Sequence, residues 1–97
     1  MYNKISRDFV HGNDFKIGNF NKIQSKVIVG HNTKIENFTL LKSGTIIGDD
    51  CYVDSYVLTS GACQIGNNVQ LRYQTIIARN VSVIKLKQNL IAYGGIE

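Results

Sequence analysis

From Ile17 to Val83 every sixth residue is aliphatic except Thr59, the stops running Ile17, Ile23, Val29, Ile35, Leu41, Ile47, Val53, then Ile65, Leu71, Ile77 and Val83. Two residues before each stop stands a second series, which from Val27 onward contains only Val, Thr and Cys. Two inward positions separated by one outward position is strand alternation. A turn must follow each strand, because the pattern restarts every six residues without insertion. An unbroken period of this kind predicts a parallel β-helix, an all-β fold in which three hexads close one triangular coil of eighteen residues. The coils read Ile5–Lys22, Ile23–Leu40, Leu41–Leu58 and Thr59–Ile76, with a partial one from Ile77, so about 4–5 coils in all. One domain is expected over residues 1–97: an irregular N-terminal cap at 1–16, regular hexads at 17–83, and a C-terminal cap or tail at 84–97. Phe9, His11, Phe15 and Asn21 fill inward slots of the first coil, which suits an end plug.

Stacking by eighteens defines three walls. Wall A carries strands 9–11, 27–29, 45–47, 63–65 and 81–83; wall B carries 15–17, 33–35, 51–53 and 69–71; wall C carries 21–23, 39–41, 57–59 and 75–77. Wall B turns Lys16, Lys34, Tyr52 and Gln70 outward, which suits solvent. Wall A turns out Val10, Ile28, Ile46 and Gln64, and wall C turns out Lys22, Leu40, Leu58 and Ile76. Phe20, Phe38 and Tyr56 form a further column at the corner after wall B. Stacked outward apolar residues make a patch, unlike single ones. Two such walls predict a closed homo-oligomer, most simply a homotrimer. The corner between walls A and B repeats Gly12-Asn13-Asp14, Gly30-His31-Asn32, Gly48-Asp49-Asp50 and Gly66-Asn67-Asn68. Asn and Asp close each of these turns, and they tolerate the left-handed backbone region.

The net charge of +4 reads as solvated surface, since the basic residues are scattered and no polybasic arm is present. Cys51 and Cys63 fall in the small-residue series and read as buried thiols, not a disulfide pair. No signal peptide or membrane-length apolar run is visible, so a cytoplasmic location is the expectation. Two histidines, His11 and His31, on separate coils do not supply a three-histidine metal site, and no metal is expected.

The hexads Ile47-Gly48-Asp49-Asp50-Cys51-Tyr52 and Ile65-Gly66-Asn67-Asn68-Val69-Gln70 resemble the hexapeptide repeat of the left-handed β-helix acyltransferases. The resemblance implies the left hand of the helix, a trimer, and transfer of an acetyl group from acetyl-CoA to an amino or hydroxyl group, often of a nucleotide sugar. Gly30–Phe38 followed by Gly44–Asp49 is similar to the segment around the catalytic histidine of nucleotide-sugar N-acetyltransferases. His31 would then inherit the general-base role, with Asp49 orienting its imidazole. A main-chain N–H near Gly48 or Gly66 would serve the oxyanion, and Gly48, Gly66, Arg72 and Arg79 would border the coenzyme, the arginines meeting its phosphates. Several features of such enzymes are missing: a nucleotide-binding domain or projecting loop, further coils, and a second histidine where Leu40 stands. The competing expectation is a non-catalytic β-helical module that works as a homotrimeric scaffold or binds a partner.

Overall fold

The computed structural model describes residues 2–84 and Ile91–Ala92. Within them the chain is a single-stranded parallel β-helix, built of two- and three-residue strands stacked into three five-stranded parallel sheets. Wall C consists of β1 (Asn3–Ile5), β4 (Asn21–Ile23), β7 (Leu40–Leu41), β10 (Leu58–Thr59) and β13 (Ile76–Ile77). Wall A consists of β2 (Val10–His11), β5 (Ile28–Val29), β8 (Ile46–Ile47), β11 (Gln64–Ile65) and β14 (Ser82–Val83). Wall B consists of β3 (Lys16–Ile17), β6 (Lys34–Ile35), β9 (Tyr52–Val53), β12 (Gln70–Leu71) and β15 (Ile91–Ala92). Residues pair in steps of eighteen, as in Ile28 with Ile46 and Leu40 with Leu58. The last pairing differs, because Gln70 faces Ile91 and the step there is three residues longer. One piece of the tail thus adds a strand to wall B, while 85–90 and 93–97 lie outside the described residues.

The period of six extends to the backbone. From Asp14 to Asn80 the closing residue of every corner has positive φ, and its non-glycine members lie between 50° and 66°. A left-handed residue costs about 1–2 kcal/mol when it carries a side chain. The hydrogen bonds show what it accomplishes. Strand N–H groups donate toward the following coil, as from Ile28 to the Thr45 carbonyl at 3.1 Å. The left-handed residue turns its own N–H back to the preceding coil, as from Asn32 to the Asn13 carbonyl at 2.8 Å. Each coil is therefore stitched to both neighbours through its corners as well as its strands.

Val27, Val29, Ile35, Leu41, Ile47, Val53, Leu71 and Ile77 lie in the core with essentially no exposure. Each such side chain contributes about 1.5–3 kcal/mol relative to an exposed one. The small-residue series has a second function. The Thr33 hydroxyl donates to the Gly48 carbonyl at 2.8 Å, and the thiols of Cys51 and Cys63 donate to Gly66 and Ala78 carbonyls at 3.0 and 3.1 Å. These carbonyls belong to corners of the next coil, and only that of Ala78 also accepts from a main-chain donor, Val81 N–H at 3.3 Å, among the described residues. Thr and Cys are buried without loss because they satisfy a buried acceptor. Both cysteines are free and buried, and burial pushes the Cys51 thiol up. Thr59, the exception in the aliphatic series, shares a 2.8 Å hydrogen bond with Thr45 inside the core.

The first coil differs from the irregular cap that its bulky residues predict. The ladder already begins at Asn3, paired with Asn21. Asn21 is buried, and it donates from its amide to the Glu36 carbonyl at 2.7 Å while its Oδ1 accepts from Thr39 N–H at 2.8 Å. It therefore satisfies the core instead of plugging an end. Phe9, His11 and Phe15 do cluster there, with ring centroids 4.8–5.5 Å apart.

Candidate functional site

The corner between walls A and B holds His31, Asp49, Gly48 and Gly66. Its second residues form a ladder of side chains that accept from the preceding coil. Asn13 N–H donates to His31 Nδ1 at 2.8 Å, His31 N–H to Asp49 Oδ1 at 2.7 Å, and Asp49 N–H to Asn67 Oδ1 at 2.7 Å. Asn and Asp fit this column because their first polar atom sits one bond beyond Cγ. Histidine fits because Nδ1 occupies nearly the same place. The glycine before each rung is needed for close approach. A Cβ on Gly48 would lie 2.8 Å from the Gly66 carbonyl oxygen, and one on Gly30 would meet the Asp49 carboxylate.

This ladder fixes the chemistry that His31 can offer. Its Nδ1 accepts a hydrogen bond, so in the neutral ring the proton sits on Nε2. An exposed Nε2–H donates and does not take a proton. Asp49 gives its carboxylate oxygen to the main-chain N–H of His31 and makes no hydrogen bond to the imidazole. The spacing places the two residues together, but through the backbone. Gly48 N–H and Gly66 N–H, expected to face an oxyanion, donate instead to the Ile65 and Val83 carbonyls at 2.8 and 2.7 Å. Arg72 lies on the corner between walls B and C and Arg79 on the corner between C and A, so neither joins His31. Arg79 reaches the Ser60 carbonyl at 3.4 Å.

Wall B carries a polar cluster that sequence reasoning missed. Tyr52 O–H donates to Glu36 Oε2 at 2.7 Å, and Lys34 Nζ lies 3.4 Å from the same oxygen. The Tyr52 bond, then Lys34, holds the Glu36 carboxyl below its usual range. The same bond pushes the Tyr52 hydroxyl up to about 12. The available signal is that Glu36 follows the outward Lys34 by two residues and Tyr52 lies one coil further on.

The outward apolar columns are in place. Val10, Ile28 and Ile46 on wall A are 56%, 43% and 37% exposed, and Ile76 on wall C is 45% exposed beside half-buried Leu40 and Leu58. The corner aromatics form a stack. Phe20, Phe38 and Tyr56 follow at centroid spacings of 5.1 Å with planes within 9° of parallel. Tyr2 and Tyr73 extend it at its two ends. The ring faces are occupied by one another, so solvent meets ring edges.

No helix among the described residues is long and apolar enough to cross a membrane. No protein-family model, curated protein or solved structure matches the chain. The β-helix fits the hexapeptide-repeat class at the level of architecture, and fold alone does not carry an activity.

Proposed function

We propose that this chain works as a β-helical scaffold or binding module that self-associates, most simply as a homotrimer, through walls A and C. The observation that carries this reading is the position of His31. Its imidazole is a rung of the corner ladder, interchangeable in role with Asn13, Asp49 and Asn67, and its free nitrogen carries a proton. The apolar columns of Ile28 and Ile46 and of Leu58 and Ile76 support burial against further copies. The two walls are different patches, so contact between them is heterologous and closes as a ring.

Acyl transfer from acetyl-CoA to a sugar amine or hydroxyl is the second reading, favoured by the hexad at Ile47–Tyr52 and the segment around His31. It requires the His31 proton to move to Nδ1, with loss of the bond from Asn13. Calorimetry with acetyl-CoA, beside light scattering of the same sample, separates the two. The scaffold reading expects a trimer that gives no saturable heat with the coenzyme. Saturable micromolar binding, together with acetyl transfer abolished by His31→Asn, would replace it with the enzyme reading. A monomer that ignores the coenzyme would remove both.

A further inference from the structure

The first two coils of wall C set two ammonium groups side by side. Lys4 and Lys22 are register partners on β1 and β4, both exposed and both pointing outward, on strands about 4.8 Å apart. Like charges opposite one another destabilise a sheet. Wall B has the same arrangement in Lys16 and Lys34, and there Glu36 lies 3.4 Å from Lys34. Among the described residues no carboxylate pairs with Lys4 or Lys22. Instead they border an open depression of about 380 Å³ that also meets Gln24, Ser25 and Ser43, with Ile5 and Ile23 in its lining.

The charged groups of this depression, Lys4 and Lys22, are both donors. Ser25 and Ser43 hydroxyls lie 3.2 Å apart, and Ser43 donates its own proton to the Gln24 carbonyl oxygen at 3.5 Å, so Ser25 donates to Ser43 and both hydroxyl protons are engaged. The Gln24 carbonyl oxygen is taken by Ser43 N–H at 3.1 Å, so its amide NH2 remains to donate. The nearby acid, Asp8, accepts from the hydroxyl of Ser6, which also lines the depression, at 2.7 Å and from Lys26 N–H at 3.0 Å. We propose that the Lys4–Lys22 depression binds the phosphate group of a small phosphorylated ligand. Two ammonium groups and the Gln24 amide match the acceptor oxygens of a phosphate dianion, the ammonium groups through charge-assisted hydrogen bonds. The volume exceeds that of phosphate alone, and exposed Ile5 in the lining suits the carbon skeleton of an ester. The site lies on the opposite side of wall A from the His31 corner, on the first two coils of wall C and the corner that joins it to wall A, beside the faces proposed above for self-association.

Calorimetry and phosphorus NMR on the full chain test this, with inorganic phosphate and glucose phosphate as probes and sodium chloride at matched ionic strength as the control. Saturable binding is expected, and Lys22→Gln weakens it by about tenfold or more, while Lys16→Gln leaves it within about twofold. Tighter binding of glucose phosphate identifies an ester site; equal binding identifies a site for free phosphate. Because Lys22 points outward, Lys22→Gln folds, and without ligand it melts no lower than the parent. Phosphate raises the melting temperature of the parent but not of this variant. Absence of saturable binding, or equal loss in Lys16→Gln and Lys22→Gln, would overturn the proposal, the latter by showing diffuse surface charge alone.

Discussion

At the residue scale, the side chains of His31, Tyr52 and Glu36 are all engaged in structure. His31 spends Nδ1 on a main-chain donor, so the atom that matters is an acceptor at the Asx position. His31→Asn should therefore leave stability within about 0.5 kcal/mol, while His31→Ala should cost about 0.5–1.5 kcal/mol, read by urea denaturation. If Asn and Ala cost the same, the ladder bond contributes nothing. Tyr52 and Glu36 give a pH signature. The Glu36 carboxyl is held below its ordinary value of 4.5, so its contribution is present above that value and is lost as pH falls through the lower folded one. The Tyr52 hydroxyl is raised from 10 to about 12, so its contribution is present below pH 10 and fades as pH rises toward 12. Tyr52→Phe should lower stability by about 1 kcal/mol at neutral pH and converge with the parent at strongly acid pH. It should also remove from an absorbance titration a phenol that ionises at about 12. A constant gap between the two proteins at all pH values would contradict this pairing.

At the element scale, each hexad is a strand plus a corner whose last residue is left-handed. Asn32, Asp50 and Asn68 suit that conformation, but Phe20, Phe38 and Tyr56 adopt it despite bulky side chains. Two interactions offset the strain: the N–H of Phe38 bonds back to the Asn19 carbonyl at 3.1 Å, and its ring stacks on both neighbours. A double-mutant cycle on Phe20→Ala and Phe38→Ala should show a coupling of about 0.5–1.5 kcal/mol. Additive losses would mean that the rings only lie in line. Inside the coil, Thr33→Val should cost about 1–3 kcal/mol by chemical denaturation, because it strands the Gly48 carbonyl and removes the acceptor of Cys51 N–H. Thr33→Cys should cost less, since Cys51 and Cys63 already make the equivalent bond.

At the scale of the whole molecule, a β-helix of this length leaves two outward apolar columns on walls that meet at one corner. Ile46→Lys or Leu58→Lys should convert the expected trimer to monomer in light scattering without changing the far-UV spectrum, because both side chains point out of the coil. A stable trimer in both variants would place the contact elsewhere. The aromatic corner continues the apolar surface of wall C, since Phe38 and Tyr56 precede Leu40 and Leu58 by two residues.

The sequence by itself determined the fold, the three walls, the direction of each side chain and the register. It could do so because a period of six repeated through many hexads leaves only one way to bury the aliphatic series, and a one-residue slip would turn every core residue outward. It also identified the left-handed corners occupied by Asn and Asp, whose conformational tolerance is local. Only the tertiary structure decided what joins one coil to the next. That Asp49 takes the backbone of His31 and not its ring depends on which atom faces the preceding coil, and residue spacing does not encode this. The same holds for the buried role of Asn21, the Tyr52–Glu36 bond, and the meeting of Lys4, Lys22 and Ser43 around one depression, which join residues of different coils. Periodicity specifies which residues share a column; hydrogen-bond geometry between columns specifies what each can do.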